Sequence, residues 1–297
     1  MASILIEKPA RGDFLPILDG GYSLQYSPLM EYREGQGMIL FCQMDVTGRT
    51  AADPAAETLA RQCIQYLDRW KPTPRRSVVC TGEEAGREHL NSCGVASHPY
   101  KGNLSVDQVL VVGPGGGEKL VPDAAAIADW LKAGGHLLSL GLDERELKGF
   151  LPFPINTKNA EHISTWFEPF GAASPLASVN PADVHNRDPR ILPLIFGGAT
   201  IIGNEVLAHS KDLNVICFQL VPWQYGGSKQ ANLRKTFRRT SVLLTRLLAG
   251  MGASIDTPLV ERFHMPIDPA IPAKRWAEGF YLDQPDEWDD PYRFFRW

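Results

Sequence analysis

Short apolar runs alternate with longer amphipathic segments through the middle of the chain. The runs predict strands, and they are 77–80 (SVVC), 106–112 (VDQVLVV) and 136–140 (HLLSL). The segments predict helices at 83–93, 122–133 and from 143 to about 148, with Gly94 and Gly134-Gly135 as C-terminal caps of the first two. Strands and helices that alternate in this way predict an α/β fold with a doubly wound, mainly parallel sheet.

The segments around this alternating region have a different character. Residues 151–188 are rich in Pro, Asn and Ser, and they predict an irregular insertion with one short helix near 160–170. The C-terminal segment 253–297 is Pro-rich, aromatic and acidic. So many large rings predict a tail that packs along a domain surface, with a partner surface as the alternative.

An internal repeat relates two distant parts of the chain. Residues 13–46 resemble residues 190–223, because both segments contain Leu-Pro, Gly-Gly and Gln in the same order. These motifs stand at 15–16, 20–21 and 43 in the first copy. They stand at 192–193, 197–198 and 219 in the second copy. Each copy runs into a predicted helix, at 53–67 and 230–252. Only about a dozen residues precede the first copy, so it is interpreted as the end of an incomplete module.

The 297 residues predict roughly two domains. The linker 70–74 (WKPTP) is punctuated by two prolines and marks the main boundary. We therefore predict a partial module at 1–74, a complete α/β domain at 75–252 and the tail at 253–297.

Charge and composition exclude several classes of partner. The net charge of −4 offers no basic face for nucleic acid, and no apolar run is long enough for a membrane span. The N-terminus lacks a signal-peptide pattern, so the chain as written is expected in the cytoplasm, unless it is exported as part of a longer protein.

The cysteine pattern predicts free thiols. The five cysteines include Cys42, Cys80 and Cys217 inside apolar runs, which favours buried thiols over a disulfide framework. There is no Cys-x-x-Cys pair and no cluster of histidines, so we expect no metal and no cofactor.

Candidate site residues lie where predicted strands end, because doubly wound sheets bind ligands beyond the carboxyl ends of their strands. The glycine turn 113–117, with Gly113, Gly115 and Gly116, is either a tight turn or an anion-binding loop. Ser139, with Gly141 two residues later, is either a core or capping serine or a nucleophile on a strand-to-helix elbow.

The late strand end at 221–223 (VPW) offers no proton acceptor opposite this elbow. His185, in a turn-rich segment, is the one histidine that we select as a candidate.

The order GPGGG, helix, GGHLLSLGLDE and CFQLVPW resembles the class I glutamine amidotransferase-like superfamily, in the broad sense that includes trehalose-utilisation-type domains, over 75–252. The resemblance implies a flavodoxin-like fold and places residues 113–116 on the oxyanion turn and Ser139 on the nucleophilic cysteine. It also places Gln219 on the strand glutamine, Val221 on the catalytic histidine and Trp223 on the acid. In the first repeat Asp45 takes the histidine position. The family's glutaminase triad is therefore expected to be lost.

Two further segments, YREGQGMILFCQMDVTGRT and LDQPDEWDDPYRFFRW, resemble parts of large bacterial glycoside hydrolases of the β-galactosidase type. This resemblance implies a catalytically degenerate module of a carbohydrate-active protein, with a role in structure, oligomerisation, or sugar or protein binding. Its partners would be a carbohydrate ligand, further copies of the chain or an upstream catalytic domain. Gly113, Gly115, Gly116, Gly141 and Trp223 would form the binding region.

A hydrolase is the alternative function. An esterase or glycosidase would use Ser139 or loop carboxylates, with Asp143, Glu144, Glu146 and Asp183 as the acidic candidates. A sensor that binds an anion at the glycine turn is a third hypothesis.

Overall fold

The computed structural model describes residues 5–20, 24–171, 174–227 and 230–257. The described chain divides into two compact units. One contains the residues up to Pro74 together with Asp256 and Thr257, and the other is Arg75–Ile255.

The first unit is an antiparallel sheet with one long helix. Its strands are β1 (Ile6–Glu7), β2 (Asp13–Gly20), β3 (Tyr26–Glu34) and β4 (Gly37–Cys42), and its helix is α1 (Pro54–Arg69). β3 is central, because β1, β2 and β4 all pair with it. Phe14, Met30 and Tyr32 form a small core on the sheet. Asp53 caps α1 through the amide of Ala55, and Pro54 occupies the first helical position, so the sequence itself specifies where this helix begins.

The second unit contains a seven-stranded sheet. Its parallel strands are β5 (Ser77–Thr81), β6 (Ser97–Pro99), β7 (Gln108–Val112), β8 (His136–Leu140) and β13 (Asn214–Phe218). They lie in the order β6-β5-β7-β8-β13, which is the flavodoxin-like order 2-1-3-4-5. The antiparallel strands β12 (Leu207–His209) and β11 (Thr200–Ile202) extend the sheet beyond β13. A separate hairpin pairs β9 (Asn156–Glu161) with β10 (Ile191–Gly197).

Helices cover both faces of this sheet. They are α2 (Glu84–Ser92), α3 (Gly117–Leu120), α4 (Ala124–Lys132), α5 (Glu144–Phe150) and α6 (Ala231–Gly250). Successive strand residues point to opposite faces of the sheet and belong to different hydrophobic cores. Val78 belongs to the core that contains residues of α2 and α6, and Val79 belongs to the core that contains residues of α3, α4 and α5. Burial on both faces explains why these strands are continuous apolar runs. The predicted doubly wound, mainly parallel sheet is confirmed.

The helix expected near 160–170 is wrong, since β9 ends at Glu161 and the residues after it have no helical structure. Cys42 is half-buried rather than buried, whereas Cys80 and Cys217 are buried as predicted. The predicted tail lies outside the described residues beyond Thr257.

Among the described residues, no helix combines the length and the apolar character that a membrane span requires.

Candidate functional site

A pocket opens at the point where the strand order of the parallel sheet reverses. The chain leaves β5 for β6 on one side and later returns to β7 on the other, so the carboxyl ends of β5 and β7 diverge into separate loops. The pocket between these loops has a volume of about 250 Å³. Its walls come from the end of β5, the start of α2, β6, the glycine turn, α3 and Trp223. This is the place where open α/β sheets bind ligands.

The glycine turn packs tightly against the end of β5. The amide of Gly113 donates to the carbonyl of Thr81 at 2.9 Å, and the amide of Gly116 donates to the carbonyl of Gly113 at 2.9 Å. A Cβ on Gly116 would lie 2.8 Å from both carbonyl oxygens, so only glycine fits there. The glycines therefore serve a close approach of two backbone segments.

The far end of the turn faces a carboxylate of the chain itself. Glu146 on α5 accepts a hydrogen bond from the amide of Gly117 at 3.3 Å. The amide of Gly115 also interacts with this carboxylate through a backbone hydrogen bond. Burial raises the pKa of Glu146, and these amide hydrogen bonds oppose that rise. Amides that could stabilise an external anion are thus directed at an internal one.

Trp223 forms one wall of the pocket. Its Nε1 donates to Oε2 of Glu83 at 2.8 Å. Its ring covers Gly86 and Gly113, where a Cβ would lie 3.0 and 3.2 Å from Cζ2 of the ring. The two glycines let the indole approach the backbone closely, and the Glu83 hydrogen bond fixes its orientation.

Groups of both charges line the same pocket. Lys119 Nζ donates to the carbonyl of Gly82 at 3.0 Å, and Arg87 forms an ion pair with Glu84. Tyr100 Oη donates to Oδ2 of Asp123 at 2.9 Å. Burial and this contact with a carboxylate raise the pKa of Tyr100 to about 12, so the phenol keeps its proton. The pocket combines an aromatic wall with fixed hydrogen-bonding groups.

The elbow after β8 is closed by apolar contact. Ser139 is 2% exposed and lies within β8, level with Cys217 of β13. Burial raises the pKa of the Cys217 thiol, a hydrogen bond with Ser139 opposes this rise, and the resulting pKa is about 11. The left-handed residue of the turn is Gly141, with φ of +65°, and a Cβ there would lie 2.3 Å from Cγ2 of Val221. Val221 therefore fills the space above the elbow.

The carboxylates considered in the sequence analysis have structural partners. Asp143 caps α5, because its Oδ1 accepts from the amide of Glu146 at 2.9 Å. Asp183 accepts from the amide of Asn180 at 2.9 Å and is buried. Glu144 faces the backbone amide of Thr157 at 3.4 Å.

His185 lies in the loop before β10. Burial and, to a smaller extent, the positive charges of Arg239 and Arg187 together lower the pKa of His185 to about 4. Its imidazole is therefore neutral at pH 7.

The structure brings some predicted residues together and leaves others apart. Gly113 and Trp223 line one pocket. Gly141 lies beside Val221 and near Pro114 of the glycine turn. The charged groups that perturb His185 come from its own loop, from His162 and from α6 rather than from the elbow.

The polar lining of the pocket was not predicted from the sequence; it consists of Glu83, Arg87, Tyr100 and Lys119. The signal that could have located it is the TGEE segment at 81–84, which begins with the last residue of β5. Its significance depends on β6, the short strand that defines the reversal of strand order.

A second, wider groove lies near β11. It has a volume of about 740 Å³ and is lined by Trp166, Phe167 and Phe170, with Asn204 and Glu205 beside them. Trp166 is 72% exposed.

Comparison with known proteins finds similarity to solved structures at low sequence identity. No model of a protein family matches the chain, and no curated protein matches it. Similar solved structures include a candidate GMP synthase component from Thermoplasma acidophilum, with 8% identity, a TM-score of 0.38 and coverage of 61% of this chain and 96% of that one. PurLQS from Thermotoga maritima has 11% identity, a TM-score of 0.38 and coverage of 60% and 99%.

Proposed function

We propose that this chain is a non-catalytic, amidotransferase-like binding module of a carbohydrate-active protein, and that its ligand is a carbohydrate held in the pocket between β5 and β7. The observation that carries the non-catalytic part is the contact of Val221 with Gly141. A nucleophile elbow needs an accessible side chain at its turn and a base that can reach it. Here the turn residue is a glycine with no space above it, and the facing residue is a valine.

The pocket supports binding of a small polar molecule. Its volume of about 250 Å³ lies below the roughly 300–1,000 Å³ of drug-sized sites and suits a single sugar ring. An indole face can cover the C–H face of a sugar, and carboxylate and guanidinium groups can bond to neighbouring hydroxyls. Trp223, Glu83 and Arg87 supply these groups around one cavity.

Isothermal titration with a panel of monosaccharides and short oligosaccharides tests the proposal. We expect one sugar to bind, and we expect Trp223→Leu to weaken binding at least tenfold. Trp166→Leu is the matched control, because Trp166 is an exposed tryptophan of the other groove. If no sugar binds, or if both variants lose affinity equally, the assignment of the pocket is wrong.

The hydrolase alternative has less support. Its serine is buried in the sheet, and Asp143 serves as a helix cap. Assays with glutamine, nitrophenyl esters and nitrophenyl glycosides separate the two functions. Turnover that disappears in Ser139→Ala would overturn the non-catalytic proposal, and no turnover of any substrate is the expected result.

A role in assembly is part of the same proposal, with further copies of the chain or an upstream catalytic domain as the partner. Light scattering coupled to size-exclusion chromatography measures the oligomeric state. A strictly monomeric chain would remove self-assembly and leave ligand binding as the function.

A further inference from the structure

The wider groove near β11, called the aromatic groove below, carries three aromatic side chains of one short segment, 166–170. Trp166 is exposed, whereas Phe167 and Phe170 are half-buried, with ring centroids 5.6 Å apart and planes inclined by 43°. The volume of about 740 Å³ lies within the range of roughly 300–1,000 Å³ that is usual for small-molecule sites. Among the described residues, none lines both this groove and the pocket between β5 and β7.

The turn between β11 and β12 supplies polar side chains to the same groove. Its two central residues are Asn204 and Glu205, with φ of +51° and +71°. Hairpin turns with positive φ at both central positions prefer glycine at the second, where this chain has a glutamate. Nδ2 of Asn204 donates to the carbonyl of Ser164 at 3.1 Å, and a Cβ on Gly203 would lie 3.4 Å from Cε1 of Phe167. The turn is therefore held against the aromatic segment, with the Glu205 side chain in the lining.

The ionisable side chains of this lining are acidic. They are Glu168 and Glu205, and among the described residues no lysine or arginine lines the groove. Lys158, which is outside the lining, places its Nζ 2.6 Å from Oε1 of Glu205 and 6.0 Å from the ring centroid of Phe196. This one cation offsets one of the two carboxylates, so the charge that a ligand meets in the groove is negative.

We propose that the aromatic groove binds an organic cation that carries a quaternary ammonium group. Aromatic faces attract such a group, and Trp166, Phe167 and Phe170 supply the rings. A quaternary ammonium has no N–H donor, so it loses no hydrogen bond when it leaves water for an apolar lining. Glu168 and Glu205 add the opposite charge, which attracts a cation, repels an anion and gives no such gain to a neutral ligand.

Choline is the probe, and its control is the uncharged isostere dimethylbutanol, in which a carbon atom replaces the nitrogen. Titration of the full chain, followed by NMR of the ligand methyl protons, measures both affinities and the upfield shift that aromatic rings cause. We expect choline to bind about fivefold or more tightly than the isostere. Choline binding should weaken as salt is added, because salt screens the carboxylates, whereas isostere binding should not weaken. This comparison needs no variant.

Two substitutions of one ion pair should change the affinity for choline in opposite directions. Glu205→Gln removes a negative charge from the lining and should weaken choline binding about threefold. Lys158→Met removes the cation that offsets Glu205 and should strengthen choline binding by a similar factor. Neither change should alter the affinity for dimethylbutanol. Trp166→Leu should weaken choline binding about threefold or more and reduce the upfield shift of its methyl protons.

Glu118→Gln is the matched control for the ion pair. Glu118 also pairs with a basic side chain, Arg145, at 2.7 Å, but it lies outside the groove, so its substitution should leave choline binding unchanged. Equal affinities for choline and dimethylbutanol, or no binding of choline, would overturn the proposal. A shift in the same direction in Lys158→Met and Glu205→Gln would overturn it as well. The carbohydrate pocket shares none of the groove's lining, so either proposal can fail without the other.

Discussion

The contact between Gly141 and Val221 can be tested by adding a single methyl group. In Gly141→Ala the new Cβ would lie 2.3 Å from Cγ2 of Val221, in a left-handed conformation with φ of +65°. The backbone conformation costs about 1–2 kcal/mol for an L-residue with a side chain. Overpacking in a closed site adds about 1–3 kcal/mol. We therefore expect the free energy of unfolding to fall by about 2–5 kcal/mol.

Gly115→Ala isolates the conformational part of this cost. Gly115 has φ of +72°, and a Cβ there would meet no atom within 4 Å. Its substitution should cost about 1–2 kcal/mol only. Urea unfolding, followed by circular dichroism and tryptophan fluorescence, gives the midpoint and slope of each variant.

A double-mutant cycle with Val221→Ala then measures the contact itself. Val221→Ala removes the clashing Cγ2, so Gly141→Ala should cost about 1–3 kcal/mol less in that background than in the natural chain. Additivity within about 0.5 kcal/mol, or equal costs for Gly141→Ala and Gly115→Ala, would refute the statement that Val221 fills the elbow.

Two further predictions concern residues near the candidate site. Asp143→Ala should lower the free energy of unfolding by about 1 kcal/mol because α5 loses its N-terminal cap, whereas Asp143→Asn should retain most of it; equal losses in urea unfolding would show that the cap is not the cause. His185 should titrate near pH 4 by NMR. Because its ordinary pKa is 6.5, the unfolded chain binds a proton between pH 6.5 and 4 that the folded chain does not, so His185 should reduce stability as the pH falls through this window. In His185→Gln this contribution should vanish, and a pH dependence identical to that of the natural chain would contradict the assignment.

The elements that sequence predicted well have strong local signals. β5, β7 and β8 are apolar runs because both faces of the sheet are covered, and α4 is followed by Gly134 with φ of +101°. β6 and β9 were not predicted, since the short β6 has two exposed residues and β9 (NTKNAE) contains no fully buried one. Neither strand carries the hydrophobic pattern that pairing usually leaves in a sequence.

The candidate site was predictable only in part for a related reason. Gly113 and Trp223 stand beside recognisable strand ends, so they could be selected from the sequence. Glu83, Arg87 and Lys119 come from two other segments, and only the strand order brings them to the same pocket. Their relation depends on topology, which local periodicity does not encode.

One short turn links the closed elbow to the open pocket. Val221, which covers Gly141, and Trp223, which forms the pocket wall, are separated by a single proline in the turn that follows β13. One side chain of this turn thus closes the space above Gly141, and another forms a wall of the pocket. Ser139 lies two residues before the left-handed Gly141 and is enclosed in the sheet. A fold does not determine a function, so the groups that the described pocket residues present, an indole wall and side chains of both charges, are what a ligand of this pocket would meet.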